Sequence, residues 1–428
     1  MPFVICCALL RKRGFFMTEQ QSLTFYGLGI APKVLEILER MKFKTPTPIQ
    51  HKAIPVATEG KDVMGVAQTG TGKTLAFAIP VVQRLAAGQG LALVLVPTRE
   101  LALQVDETFR KVAPPFGLQT AVLIGGASME EQVRMLRRNP RIIIATPGRL
   151  IDHVTERHTL KLDHVSILVM DEADRMLDMG FAPQIEQILR FVPKERQTML
   201  FSATMPKEIM YMASRHMKLP VNIEVAPSGT ASERVAQELF IIRREAKTTL
   251  LGKILAQYRG SVLLFCRTKH GASKITRDLR KMGHNAAEIH SDRSLSQRRA
   301  ALEGFKVGRF RVLVATDIAS RGIDVKGIEL VVNYDLPDDA ENYVHRIGRT
   351  GRAGMEGRAI SFATPDQFEA ITTIQRLIRA DIPVIKHPDV QPEEFLLPVR
   401  SVHAPASSGG NRKFMGRSFS ARKGFRRR

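Results

Sequence analysis

The sequence predicts an α/β fold of two tandem lobes, each built on a parallel sheet. Three observations carry this: short runs that are almost continuously apolar, amphipathic stretches between them, and a restart of the whole pattern midway along the chain.

The runs in the first half are Leu91–Val96, Arg141–Ala145, Val165–Met170 and Thr198–Phe201. They do not alternate polar with apolar residues, as strands covered on both faces require. The pattern resumes at Ser261–Phe265, Arg311–Ala315 and Ile328–Asn333. Between the halves, APSGTASE at 226–233 is polar and rich in chain breakers, so it reads as a linker. The expected division is an N-terminal extension over 1–22, a first lobe over 23–225, a linker over 226–232, a second lobe over 233–386 and a tail over 387–428.

A chain of 428 residues, 44% hydrophobic and 25% charged, can fill more than one core. Lys and Arg outnumber Asp and Glu by 64 to 42, a formal charge of +22, so a polyanion such as nucleic acid is the expected partner. No run reaches the roughly 18 apolar residues a helical span needs, so a membrane is not the expected host. Cys6, Cys7 and Cys266 have neither zinc-site nor disulfide-framework spacing, and a reducing cytoplasmic setting is expected. In MPFVICCALLRKRGFF the apolar stretch precedes the basic cluster, the reverse of a secretory signal, and Met17 is an alternative start. Residues 401–428 carry eight Lys or Arg and no Asp or Glu among Gly and Ser. A disordered basic tail that grips nucleic acid without regard to sequence is expected there.

AQTGTGKT at 67–74 follows the strand-like DVMGV and precedes the apolar LAFAIP. In a phosphate-binding loop so placed, Gly70 and Gly72 let backbone N–H groups approach phosphate oxygens, with Ala67, Gln68, Thr69 and Thr71 completing the turn. Lys73 reaches the β- and γ-phosphates and Thr74 offers its hydroxyl to Mg²⁺. Ala67 stands where the general pattern has Gly; the flanking strand and helix supply the context the motif needs. LVMDEAD at 168–174 is an apolar strand ending in carboxylates, at the edge where open α/β sheets bind ligands. Acidic residues also favour helix starts, but beside a phosphate loop the chemical reading prevails. Asp171 then holds Mg²⁺ through water, and Glu172 is the general base for the attacking water.

With these residues the chain resembles the DEAD-box ATP-dependent RNA helicase family across roughly residues 23–365. The segment Phe368–Ile382 and the basic tail are similar to the bacterial RhlE-like branch. The resemblance implies two RecA-like domains, ATP and Mg²⁺ as cofactors, and RNA contacted through its backbone without sequence preference. Phe25 and KTPTPIQ, ending at Gln50, resemble the adenine-recognition motif over 23–51, in which the ring covers the base and Gln50 bonds its edge. Pro97, Thr98 and Arg99 of PTRELA, Gly125 and Gly126, and Thr146 to Arg149 of TPGR resemble RNA-backbone contacts. Ser202 to Thr204 (SAT) resembles the element coupling hydrolysis to strand separation. Taken singly, Phe25 would be core and the prolines at 46 and 48 helix-start punctuation; their order around the two phosphate motifs gives them meaning.

ATDIASRGID at 315–324 and YVHRIGRTGRAG at 343–354 resemble second-lobe motifs. The resemblance implies ribose recognition by Gly322 and Asp324, RNA contacts by Arg267, Arg298 and Thr316, and a place for Arg321 beside them. It also implies arginine fingers at Arg349 and Arg352, whose charge a transferring phosphoryl group needs. Glycines at 348, 351 and 354 distinguish the stretch from a generic basic face, because glycine permits close backbone approach. His345 fits either a structural hydrogen-bonder or a link from the DEAD carboxylates to the second lobe. There is one departure: where the family has His-Gly and then Gln and Arg, this chain has His290, Ser291, Leu295 and Arg298. Leu295 cannot make the hydrogen bonds of Gln, and Gln297 is the nearby amide that a shift of the backbone would bring in. The expected function is RNA-stimulated ATP hydrolysis by a monomer that unwinds or remodels RNA duplexes and RNA–protein complexes. A DNA translocase and an ATP-gated RNA clamp are the competing readings, and partners in ribosome assembly or RNA degradation are left open.

Overall fold

The structure, a computed structural model, describes residues 23–68, 70–225, 235–320, 325, 327–351 and 356–396. The expected N-terminal extension, the linker 226–232 and the tail from 397 onward lie outside the described residues.

The first lobe pairs β1 (Val63–Val66), β2 (Leu91–Leu95), β3 (Thr120–Leu123), β4 (Ile142–Ala145), β5 (Val165–Asp171), β6 (Gln197–Ser202) and β7 (Val221–Glu224) in the order β3-β4-β2-β5-β6-β1-β7. The second pairs β8 (Val235–Ile241), β9 (Val262–Phe265), β10 (Ala286–Ile289), β11 (Val312–Ala315), β12 (Leu330–Asn333) and β13 (Gly357–Ala363) in the order β10-β11-β9-β12-β13-β8. Every pairing in these sheets is parallel. Parallel neighbours need crossovers, and helices supply them on both faces. The continuous apolar runs follow from that: Ala92 and Val94 enter one core layer of the first lobe while Leu93 and Leu95 enter the other. Leu263 and Phe265 against Val262 and Leu264 repeat the arrangement in the second lobe.

Residues beyond 386 continue the second lobe. Pro383 accepts the Leu239 N–H at 2.9 Å, the Ile385 N–H reaches Leu239 O at 2.7 Å and, beyond 386, the Glu393 N–H reaches Ile241 O at 3.0 Å, so the chain from 383 to 393 runs along the open edge of β8. Asp389 pairs with Lys253 at 2.7 Å, Glu393 with Arg243 at 2.6 Å, and the Phe395 ring meets Phe368 with centroids 5.5 Å apart. The expected start of the tail at 387 is therefore corrected to a point after Phe395. Too few apolar residues mark this stretch in sequence, because it is held by edge hydrogen bonds and ion pairs.

Candidate active site

The turn after β1 enters the helix Lys73–Ala87 through Gly70 and Gly72, at φ +85° and +90°. A side chain at Gly72 would lie 2.4 Å from Gln50 Nε2, so this is a close approach only glycine allows. Lys73 is buried and donates from Nζ to Ala67 O at 2.9 Å, while Thr71 Oγ1 donates to Gln68 O at 2.7 Å. Thr74 follows Lys73 at the helix start. Gln50 is buried beside the turn; its Oε1 accepts the Thr47 N–H at 2.9 Å and its Nε2 donates to Gly72 O at 3.0 Å. One acceptor position on Oε1 and one N–H on Nε2 remain. Phe25 is 3% exposed and packs in the first-lobe core, so its ring is covered by protein here. Thr69 lies outside the described residues.

At the end of β5, Glu172 adopts φ +53°, a strained conformation for a residue with a side chain, with its N–H donating to Asp171 Oδ1 at 3.0 Å. Arg175 Nη1 holds Glu172 Oε2 at 2.8 Å, both side chains sealed from water. Asp174 secures SAT: its Oδ2 accepts from the N–H groups of Ala203 and Thr204 at 3.0 and 2.9 Å and from Thr204 Oγ1 at 3.1 Å. Ser202 Oγ accepts the Asp174 N–H at 3.2 Å. Burial pushes the Asp171 carboxyl up to about 7 against the pull of Lys73. Burial alone would raise Glu172 too, but Arg175, Lys73 and Arg349 together hold it below the usual carboxylate range.

The second lobe meets these carboxylates. First-lobe Arg175 shares the walls of one small cavity with His345, Arg346 and Arg349. Arg349 is buried. Burial, reinforced by Arg175, holds His345 well below the usual imidazole range, so the ring is neutral, with Nδ1 buried and unpartnered. Arg346, which the sequence did not single out, is the anchor of this stretch. Its Nε and Nη2 grip Asp317 at 2.6 Å each, and Nη1 donates to Asn333 Oδ1 and Asp335 O. Gly322, Asp324, Arg321 and Arg352 lie outside the described residues.

A second groove, about 330 Å³, brings Pro97, Thr98, Arg99, Gly125, Thr146 and Arg149 together with Ser291 and Arg298 of the second lobe. Gly126 abuts it through the Arg99 guanidinium. Asp152, Met179 and Phe181 also line it; only the spacing of Asp152 after Arg149 could have pointed to any of them. Arg267 and Thr316 are not among the lining residues. Arg267 is bound to Asp338 at 3.0 Å. Leu295 packs against the apolar core of the first lobe, and Gln297 serves locally, its Oε1 accepting the Ser294 N–H at 3.0 Å in a helix cap. Gln297 therefore does not replace the expected amide.

Among the described residues no cluster of three or more His, Cys, Asp or Glu is set to hold a metal ion, and no helix is long and apolar enough to cross a membrane.

The DEAD/DEAH box helicase family model matches residues 47–212, and the helicase conserved C-terminal domain matches 246–354. The chain is 40% identical over 405 residues to the ATP-dependent rRNA helicase RRP3 of Candida albicans, covering 91% of this chain and 76% of that protein. It is 43% identical over 368 residues to the DEAD-box ATP-dependent RNA helicase CshA of Geobacillus kaustophilus, covering 85% and 79%. Among solved structures, S. cerevisiae Dbp5 bound to RNA and ADP BeF3 superposes with a TM-score of 0.77 at 30% identity, over 85% of this chain and 95% of that one.

Proposed function

This chain belongs to the DEAD-box helicase family, and on that premise we propose how its residues divide the work of an RNA-stimulated ATPase that unwinds and remodels RNA. The observation that carries the assignment is Glu172, gripped by Arg175 and held ionised chiefly by Arg175 and Lys73 on its own lobe, with Arg349 of the other lobe adding to them. A carboxylate kept charged in a dry site is fit to accept a proton from the attacking water. Arg349 supplies charge to the transferring phosphoryl group, with Arg352 its partner by resemblance, so the catalytic set is complete only when the lobes are closed.

Lys73 leaves Ala67 O to meet the β- and γ-phosphates. The remaining acceptor and donor on Gln50 match the amino group and N7 of adenine; guanine presents two acceptors there and does not match. Phe25 would have to turn a face outward to stack on the base, which leaves selectivity to Gln50. Gly322 and Asp324 take the ribose. Thr74 and Asp171 are hard oxygen donors suited to Mg²⁺ that keeps several waters, and the dry Asp171 carboxyl is the kind of group a cation stabilises. When bound, the ion neutralises developing charge on the phosphates.

RNA lies along the groove of Thr98, Arg99, Gly125, Gly126, Thr146, Arg149 and Arg298, with Arg267 and Thr316 joining after local rearrangement. Asp174 ties SAT to the DEAD turn, and neutral His345 relays the state of the phosphate site to the second lobe. A cytoplasmic setting suits the three cysteines. The test is the ATPase rate with RNA and with DNA of equal sequence; equal stimulation removes the RNA assignment in favour of a DNA translocase. The buried contacts between lobes favour a second reading, a clamp that holds RNA longer than it unwinds. Comparing unwinding rate with the lifetime of the ATP-bound RNA complex decides between them.

A further inference from the structure

The Ile124–Ser128 loop carries Gly125 and Gly126 and is held by side chains from two other segments. Gln132, 1% exposed on the helix Met129–Leu136, donates from Nε2 to the carbonyls of Ile124, Ala127 and Ser128 at 3.1, 3.3 and 3.2 Å. Three acceptors around that nitrogen fix which end of the amide is which. Oε1 then accepts the Ile124 N–H at 3.1 Å and faces His153 Nε2 at 3.3 Å. An amide oxygen cannot donate, so Nε2 of His153 carries the proton, and Nδ1 accepts from the Thr159 hydroxyl at 2.8 Å. His153 is fully buried, and burial helped by Arg149 holds it below the usual imidazole range. Its inward placement follows from a widened turn in which the Arg157 N–H reaches Asp152 O, five residues back, at 2.9 Å. On the helix just before it, Pro147–Ile151, Arg149 donates from Nη1 to Ala127 O at 3.3 Å.

We propose that His153 and Gln132 are positioning residues for RNA: the imidazole, protonated on Nε2, orients the Gln132 amide, and the amide holds the Gly125–Gly126 backbone in the shape that meets RNA. The proposal rests on the reading of that loop as an RNA contact. Neither side chain needs to touch RNA; both set the backbone that does.

The experiment titrates the full chain's ATPase with RNA and reads the half-saturating RNA concentration and the maximal rate separately. His153→Phe keeps a flat ring, one atom larger, but removes both nitrogens, and Gln132→Glu places a carboxylate against three carbonyls. Each should raise half-saturating RNA by about tenfold, the scale of one lost buried hydrogen bond, with the maximal rate within about twofold. His153→Gln, which returns an N–H near the Nε2 position, should recover to within about threefold of the parent. If His153→Phe binds RNA like the parent, or if His153→Phe and His153→Gln lose affinity, maximal rate and thermal midpoint alike, the proposal is overturned. Gly126→Ala separates it from the reading beneath: Gly126 sits at φ +75° with a Cβ position 2.3 Å from Arg99 Nη1. Parent-like affinity in Gly126→Ala removes the loop from the RNA site altogether. Weakened affinity there, with His153→Phe and Gln132→Glu unaffected, removes only the positioning role.

Discussion

Arg298 of the second lobe lies 2.7 Å from Glu100 of the first, with 8% and 5% of the two side chains left exposed. Burial raises the Glu100 carboxyl above its usual range, and Arg298 offsets this only in part. Two charges sealed from water seldom give net stability; what they give is register, because they meet only when the lobes are closed in one way.

Arg298→Ala strands a sealed carboxylate without its cation and should lower the closed fraction, with RNA and a non-hydrolysable ATP analogue bound, by about tenfold or more. Fluorescence transfer between dyes on the two lobes measures it. The double variant Glu100→Ala with Arg298→Ala should recover part of the loss. A double variant as poor as the single would show that Arg298 acts through RNA instead of Glu100.

Leu295→Gln restores a polar side chain where this chain presses a leucine on first-lobe apolar surface. Losing a half-buried leucine costs about 1 kcal/mol, so closure in the same assay should weaken by roughly fivefold. Equal or tighter closure sinks the view that the contact is apolar.

Three substitutions at the phosphate site should fail differently. Lys73→Ala should weaken ATP binding, and Glu172→Gln should bind ATP and RNA yet stall before hydrolysis. Arg349→Ala should lower turnover by a factor on the order of 10³. Nucleotide-binding titrations beside single-turnover rates separate the three, and an Arg349→Ala defect under about threefold would end its assignment.

His153 supplies a pH signature. Its folded-state proton affinity is depressed by burial, Arg149 and Arg157, with Asp152 opposing. As pH falls through about 6.5, the unfolded chain takes up a proton that the folded chain refuses, so stability is lost on the acid side and rises with pH across that window. The thermal midpoint of the parent should fall more steeply than that of His153→Gln between about pH 7 and pH 5.5. Parallel slopes would contradict a buried neutral ring.

The sequence by itself determined the two-lobed parallel architecture, because strands covered on both faces must be apolar at nearly every position, as at Leu91–Leu95 and Val262–Phe265. It passed over β3, β7, β8 and β10, which carry no neighbouring strand on their outer side and are short or partly polar, and also β13, an interior strand whose run opens on Gly357 and Arg358. It also marked the phosphate loop and the DEAD carboxylates, whose geometry is set by residues adjacent in the chain. Tertiary structure alone decided what depends on distant segments meeting. Nothing local in His153 or Gln132 points to the loop they hold, and Arg346 reads as one more arginine until Asp317, Asn333 and Asp335 converge on it. Leu295 looked like a missing hydrogen bond and proved to be an apolar contact, because the surface it meets belongs to the other lobe. Local chemistry is written in neighbours along the chain, whereas burial and pairing across it appear only once the lobes have folded and closed.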